Sequence, residues 1–149
     1  MVGISRAIDA SLANSSVFTA SIFDDRWSTH RVIEFINERR NATVATVSVA
    51  GQPHAAVVLV ACAGEEIYFT VHPESILLRN ILDNDRIAMS VCDSVHAVMC
   101  QGRAVRVGHS TELVDLINEL GSVTRGNTFT PKGWSGFVYR IELHRLVAN

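Results

Sequence analysis

The side chains best equipped for chemistry in this sequence are six histidines, three cysteines and two pairs of adjacent acids. His30, His54, His72, His96, His109 and His144 are scattered, and none belongs to an H-E-x-x-H or His/Cys spacing of the kind that closes around zinc. A surface or hydrogen-bonded role is expected for each, and no metal. Cys62, Cys92 and Cys100 form no C-x-x-C pair, and three thiols cannot all pair internally. Each lies in an apolar run, where a thiol behaves as a small hydrophobe. Glu65–Glu66 and Asp24–Asp25 fall at apparent turns, where solvation rather than general acid–base work is the expected role. No G-x-S-x-G argues for a serine hydrolase, and no G-x-G-x-x-G or G-x-x-x-x-G-K argues for a nucleotide fold. No catalytic residue is therefore assigned. The aromatic group Trp134, Phe137 and Tyr139 could wall a ring pocket, although a core or dimer contact is the expected role.

The whole chain narrows the class. Its 149 residues suit one ordinary domain, with 48% hydrophobic and 19% charged side chains, a composition that supports a real core. The net charge of −2 gives no pull toward nucleic acid or anionic membrane, and the adjacent pair Arg39–Arg40 suits a helix end. Asp9, Asn14 and Asp24–Asp25 interrupt any signal-peptide core, and no run approaches the roughly 20 apolar residues that span a bilayer. With cysteines that suit a reducing compartment, the expectation is a cytoplasmic protein.

The elements that must position any site follow from periodicity. Residues 1–28 are Ser- and Ala-rich and read as an arm or a short helix; residues 29–149 form the main domain. Ser28 or Thr29 can cap a helix with Val32, Ile33, Phe35 and Ile36 on one stripe. Residues 42–49 (ATVATVSV), 53–61 and 65–71 read as three strands joined by tight turns, an antiparallel meander. Pro73 ends the third, and Ser75 caps a short helix carrying Ile76, Leu77, Leu78, Ile81 and Leu82. Residues 86–92 and 95–107 are two further strands, with Gly102 a bulge. A helix over 111–120 with Gly121 at its C-cap, a loop over 122–133 and a last strand over 134–147 complete the chain. Six strands with short helices favour a mainly β fold, a six-stranded antiparallel barrel that leaves no sheet edge; an open α+β sheet is the alternative.

Three stretches in this order resemble a known family. They are ATVATVSVAGQPH at 42–54, IYFTVHPESILLRNILDNDRIAMS at 67–90, and GRAVRV at 102–107 followed by a helix and YRIELHRL. Together they are similar to the pyridoxamine 5′-phosphate oxidase-like, FMN-binding split-barrel proteins. The resemblance implies a split β-barrel, a homodimer, an oxidoreductase activity, and flavin mononucleotide in each groove between subunits. It places Thr70, Val71, Ser75, Arg79 and Asn80 at the cofactor. The pattern also departs from the family: its usual phosphate-binding cations are replaced by Ala55 or Ala56, by Val60 or Ala61, and by Ile76 and Leu77. The resemblance thus implies that Ala56 and Leu77 face an unusually apolar groove and that FMN binds weakly, unless Arg79 or a partner's Arg103, Arg106 or Arg140 replaces the cations. The alternative is a non-catalytic split-barrel dimer that has lost the phosphate site and holds a deazaflavin, heme (through His144) or nothing.

Overall fold

The computed structural model describes residues 3–13 and 27–149. The Asp24–Asp25 pair and most of the segment expected to be an arm or short helix lie outside the described residues. Within that segment α1 (Ile4–Ala13) is a helix. Its Ser5 N–H donates to the Glu65 carboxylate at 2.8 Å, and Ser11 Oγ accepts the Leu146 N–H at 2.7 Å. Both bonds reach far along the chain, and Ile4, Ala7 and Ile8 sit in the main core.

Ser28 starts α2 (Thr29–Arg39). Its extended backbone and its hydroxyl, which accepts the Arg31 N–H at 3.1 Å, satisfy one of the orphan donors of the first turn. Arg40 takes a left-handed conformation (φ 66°) and turns the chain into β1 (Asn41–Val47). There period two takes over: Ala42, Val44 and Thr46 are buried while their neighbours face out. β2 (Pro53–Ala63) and β3 (Glu66–Val71) follow. α3 (Ile76–Asp83) leads to β4 (Arg86–Cys92) and β5 (Ala97–His109), and α4 (Val114–Val123) to β6 (Phe137–Ala148).

The six antiparallel strands close in the order β1-β2-β3-β6-β5-β4, so the barrel stands and the open sheet does not. Val44, Val60, Ile67, Phe69, Val71, Ile141 and Leu143 fill its interior with essentially no exposure. Burying a side chain such as Phe69 stabilises the fold by roughly 1.5–3 kcal/mol. Gly102 marks the bulge that the sequence suggested, because the β5–β6 register shifts between Gln101 and Gly102. A Cβ there would lie 2.0 Å from the Glu142 carbonyl oxygen, so only glycine lets the two strands approach.

Three expectations need correction. The last helix begins at Val114, because Ser110–Glu112 forms a 3-10 turn in which the Thr111 N–H donates to the His109 ring and the Ser110 N–H to the Gly136 carbonyl. Gly121 lies inside that helix rather than at its cap; a Cβ there would stand 3.3 Å from the Asn127 carbonyl, so the residue is small to admit the following loop. Cys92, at the end of β4, is exposed, whereas Cys62 and Cys100 are buried as small hydrophobes.

Candidate functional site

The barrel wall parts along the seam between β2 and β3. β2 pairs with β1 from Val47↔Pro53 to Asn41↔Leu59, but with β3 only from Val60↔Phe69 to Ala63↔Glu66. Beyond Phe69, β3 keeps its other partner, β6, through Thr70↔Val138 and Val71↔Phe137. The last link across the gap is the Leu59 N–H donating to Thr70 Oγ1 at 3.2 Å. A cleft of about 400 Å³ opens there, walled by β2 residues 56–59, by Thr70, His72, Ser75 and Leu77, and by Pro131 and Trp134 from the loop before β6.

Ser75 and His72 both have local work. Ser75 Oγ accepts the Leu78 N–H at 3.1 Å, capping α3, and donates to the His72 carbonyl at 2.7 Å. His72 Nδ1 accepts the Glu74 N–H at 3.1 Å, so the neutral ring carries its proton on Nε2. Leu77 is 2% exposed; it packs in the core and walls the cleft at once, as does half-buried Ala56.

Thr70 and Ser75, both expected at the site, therefore meet in one cleft. The other three expected residues do not line it. The Val71 side chain is fully buried among core residues. Asn80, 2% exposed, turns inward and donates from Nδ2 to Thr46 Oγ1 at 3.0 Å, which ties α3 to β1. Arg79 stands exposed on α3. Sequence reasoning missed His72 and Pro131, which line the cleft together with Trp134. The aromatic trio divides in two: Phe137, with Arg106 over its face at 4.0 Å, and buried Tyr139, beside Phe69, both pack against the main core, and Trp134 stands apart from them. Trp134 reaches the cleft because Gly136 has no Cβ; one there would lie 2.6 Å from the indole. On the other side of Pro131 and Trp134, a shallow cleft of about 340 Å³ holds Thr111, Thr130 and Lys132, the only lysine in the sequence.

Other chemistry can be weighed on the same terms. Burial pushes the Cys100 thiol up to about 12, and burial beside Cys100 pushes Cys62 up further, so neither offers a thiolate near neutrality. His109 Nε2 lies 3.4 Å from Ser135 Oγ, but its Nδ1 accepts the Thr111 N–H at 3.2 Å. The neutral ring therefore donates from Nε2 and cannot take the serine proton. Among the described residues no group of three or more His, Cys, Asp or Glu side chains converges on a common point.

A closed six-stranded antiparallel barrel with a parted seam and a cleft in that seam defines a split barrel. The sequence matches the pyridoxamine 5′-phosphate oxidase family over residues 28–137, and the chain belongs to that family. Solved structures share the fold at low identity. A protein of unknown function from Agrobacterium tumefaciens is 17% identical with a TM-score of 0.63 over 84% of this chain and 57% of its own. This chain thus spans little more than half of that protein. A conserved hypothetical protein from Mycobacterium tuberculosis is 20% identical (TM-score 0.62; 83% and 84% covered), and the FAD-binding protein from Mycobacterium smegmatis is 12% identical (TM-score 0.59; 83% and 94% covered). No curated protein matches the sequence. No helix among the described residues is long and apolar enough to cross a membrane.

The cofactor that the family implies can be tested against the cleft. A flavin ring suits apolar walls with an indole on one side. A flavin phosphate carries about −1.5 to −2 charges near neutrality and calls for Arg or Lys forks. No Arg or Lys lines the cleft. Arg103, a candidate replacement, is bonded to Asp85 at 2.6 Å, Arg106 lies on Phe137, and Arg140 has a guanidinium nitrogen buried in its own chain. The residues present fit the ring and do not fit the phosphate.

Proposed function

We propose that this chain binds a flavin ring in the parted seam of its barrel and serves flavin-dependent oxidation–reduction as a homodimer. The observation that carries the reading is the cleft itself, where one edge of β2 leaves β3 beside an apolar wall, Thr70, Ser75 and Trp134. In such a site the ring exchanges hydride or electrons, while the protein orients it and excludes water. Pairing of two copies is supported by the rim: Val57 is 73% and Ile76 51% exposed, apolar surface that a second subunit would cover. A further groove of about 430 Å³ on the outer wall, with Ala45, Ala88, Met99 and Val147, adds to that surface. Three free cysteines suit a reducing, cytoplasmic setting.

The test is the visible spectrum of freshly purified protein, with light scattering for its mass. A flavin band, or its growth on adding flavin, supports the reading. A Soret band would replace the flavin with heme. A colourless protein that takes up no flavin would leave a non-catalytic barrel, and a mass of one chain at micromolar concentration would remove the dimer.

A further inference from the structure

We infer that the cleft recognises the flavin ring and not the phosphate, with Trp134 as the wall that the ring stacks on; this rests on the flavin reading above. The wall is held in place before any ligand arrives. Gly133 turns the chain at φ +79°, Pro131 fixes the preceding backbone, and the indole lies where a Gly136 side chain would be. Ala56 and Leu77 line the same cleft, apolar positions in a cleft without a cation. A dianion taken into such surroundings would lose hydration without gaining a charged partner. The phosphate therefore stays in solvent and adds little to affinity, while the ring supplies the contact area. Ring-on-indole stacking makes Trp134 the specificity-determining residue for planar heteroaromatic ligands.

The experiment compares riboflavin with FMN, titrated separately into ligand-free protein and followed by quenching of flavin and tryptophan fluorescence. The two should bind within about threefold of each other, whereas each charge-assisted phosphate contact would favour FMN by roughly tenfold or more. Trp134→Ala should weaken both ligands equally, by roughly five- to tenfold, and Trp134→Phe should restore most of the loss. Gly136→Ala should act like Trp134→Ala, since the added methyl displaces the indole. FMN binding tenfold tighter than riboflavin would overturn the inference and leave the flavin reading standing. Unchanged affinity in a folded Trp134→Ala protein would overturn it as well. Binding of neither ligand would remove the flavin reading and the inference together. Should Trp134→Ala fail to fold, the ratio of the two ligands on the unmodified protein still decides.

Discussion

Two seams of the same barrel have opposite designs. Along β5–β6 the strands stay paired from Val98↔Ala148 to His109↔Phe137, and irregularities at Gln101/Gly102 and Arg106/Gly108 absorb the mismatch in register without opening a gap. Along β2–β3 the strands pair from Val60 to Ala63 and then separate, with one side-chain hydrogen bond at the fork. Both seams bend the wall, one by removing a side chain and the other by removing a partner. A wall that bends by glycine stays sealed and contributes stability; a wall that bends by losing a partner exposes backbone and creates a place for a ligand.

The comparison breaks first at the sealed seam. Gly102→Ala forces a methyl group against the Glu142 carbonyl, and a loss of roughly 3 kcal/mol is expected, the upper end for an overfilled interior. A urea midpoint close to that of the unmodified protein would show that the seam is looser than the ladder implies. At the fork the expected effect is smaller. Thr70→Val keeps the shape and removes the acceptor of the Leu59 N–H, at a cost of roughly 1–2 kcal/mol. Hydrogen exchange at Leu59 should quicken while exchange along β5 and β6 stays as it was; equal quickening in both seams would show that they do not act separately. Ser75→Ala removes the cap of α3, and roughly 1 kcal/mol should be lost, read as a lower melting temperature. Ser75→Asp restores the cap but cannot donate to the His72 carbonyl, and should recover only part of the loss.

The smallest effect is electrostatic. Asp93 accepts the N–H groups of Val95 and His96 at 2.8 and 2.6 Å in the turn that begins the β4–β5 ladder, and these bonds, the His96 one first, lower its pKa from the ordinary 3.8. A depressed folded-state pKa contributes stability above the unfolded value, and that contribution is lost as pH falls through the folded one. Acid should thus loosen this turn only below 3.8, and Asp93→Asn should flatten the acid limb of the stability curve. Identical limbs would remove Asp93 from the account.

What could be read from the sequence divides along the same line. Caps and bulges are local, so Ser28, Ser75 and Gly102 carried their roles in the residues around them. The fork was not legible, because nothing within 53–63 records that β3 will leave β2 after Phe69; that is decided by β6 pairing on the other side. Trp134 was grouped with Phe137 and Tyr139 because they are neighbours in the chain, but strand alternation turns Phe137 and Tyr139 to one face of β6, and the bare Cα of Gly136 lets Trp134 lie apart from them. The absent cations at Ala56 and Leu77 were visible, and both positions line the cleft, whereas Asn80 and Val71 turn away from it.

Lys132 has a practical consequence. As the one lysine in the sequence, it carries the single side-chain amine, and it stands two positions from Trp134 on the loop that divides the two clefts. An amine-reactive fluorophore would therefore mark this loop and, apart from the α-amino group, nothing else. Energy transfer between that dye and a flavin would measure, copy by copy, whether a bound ring lies beside its own loop or beside the loop of another subunit.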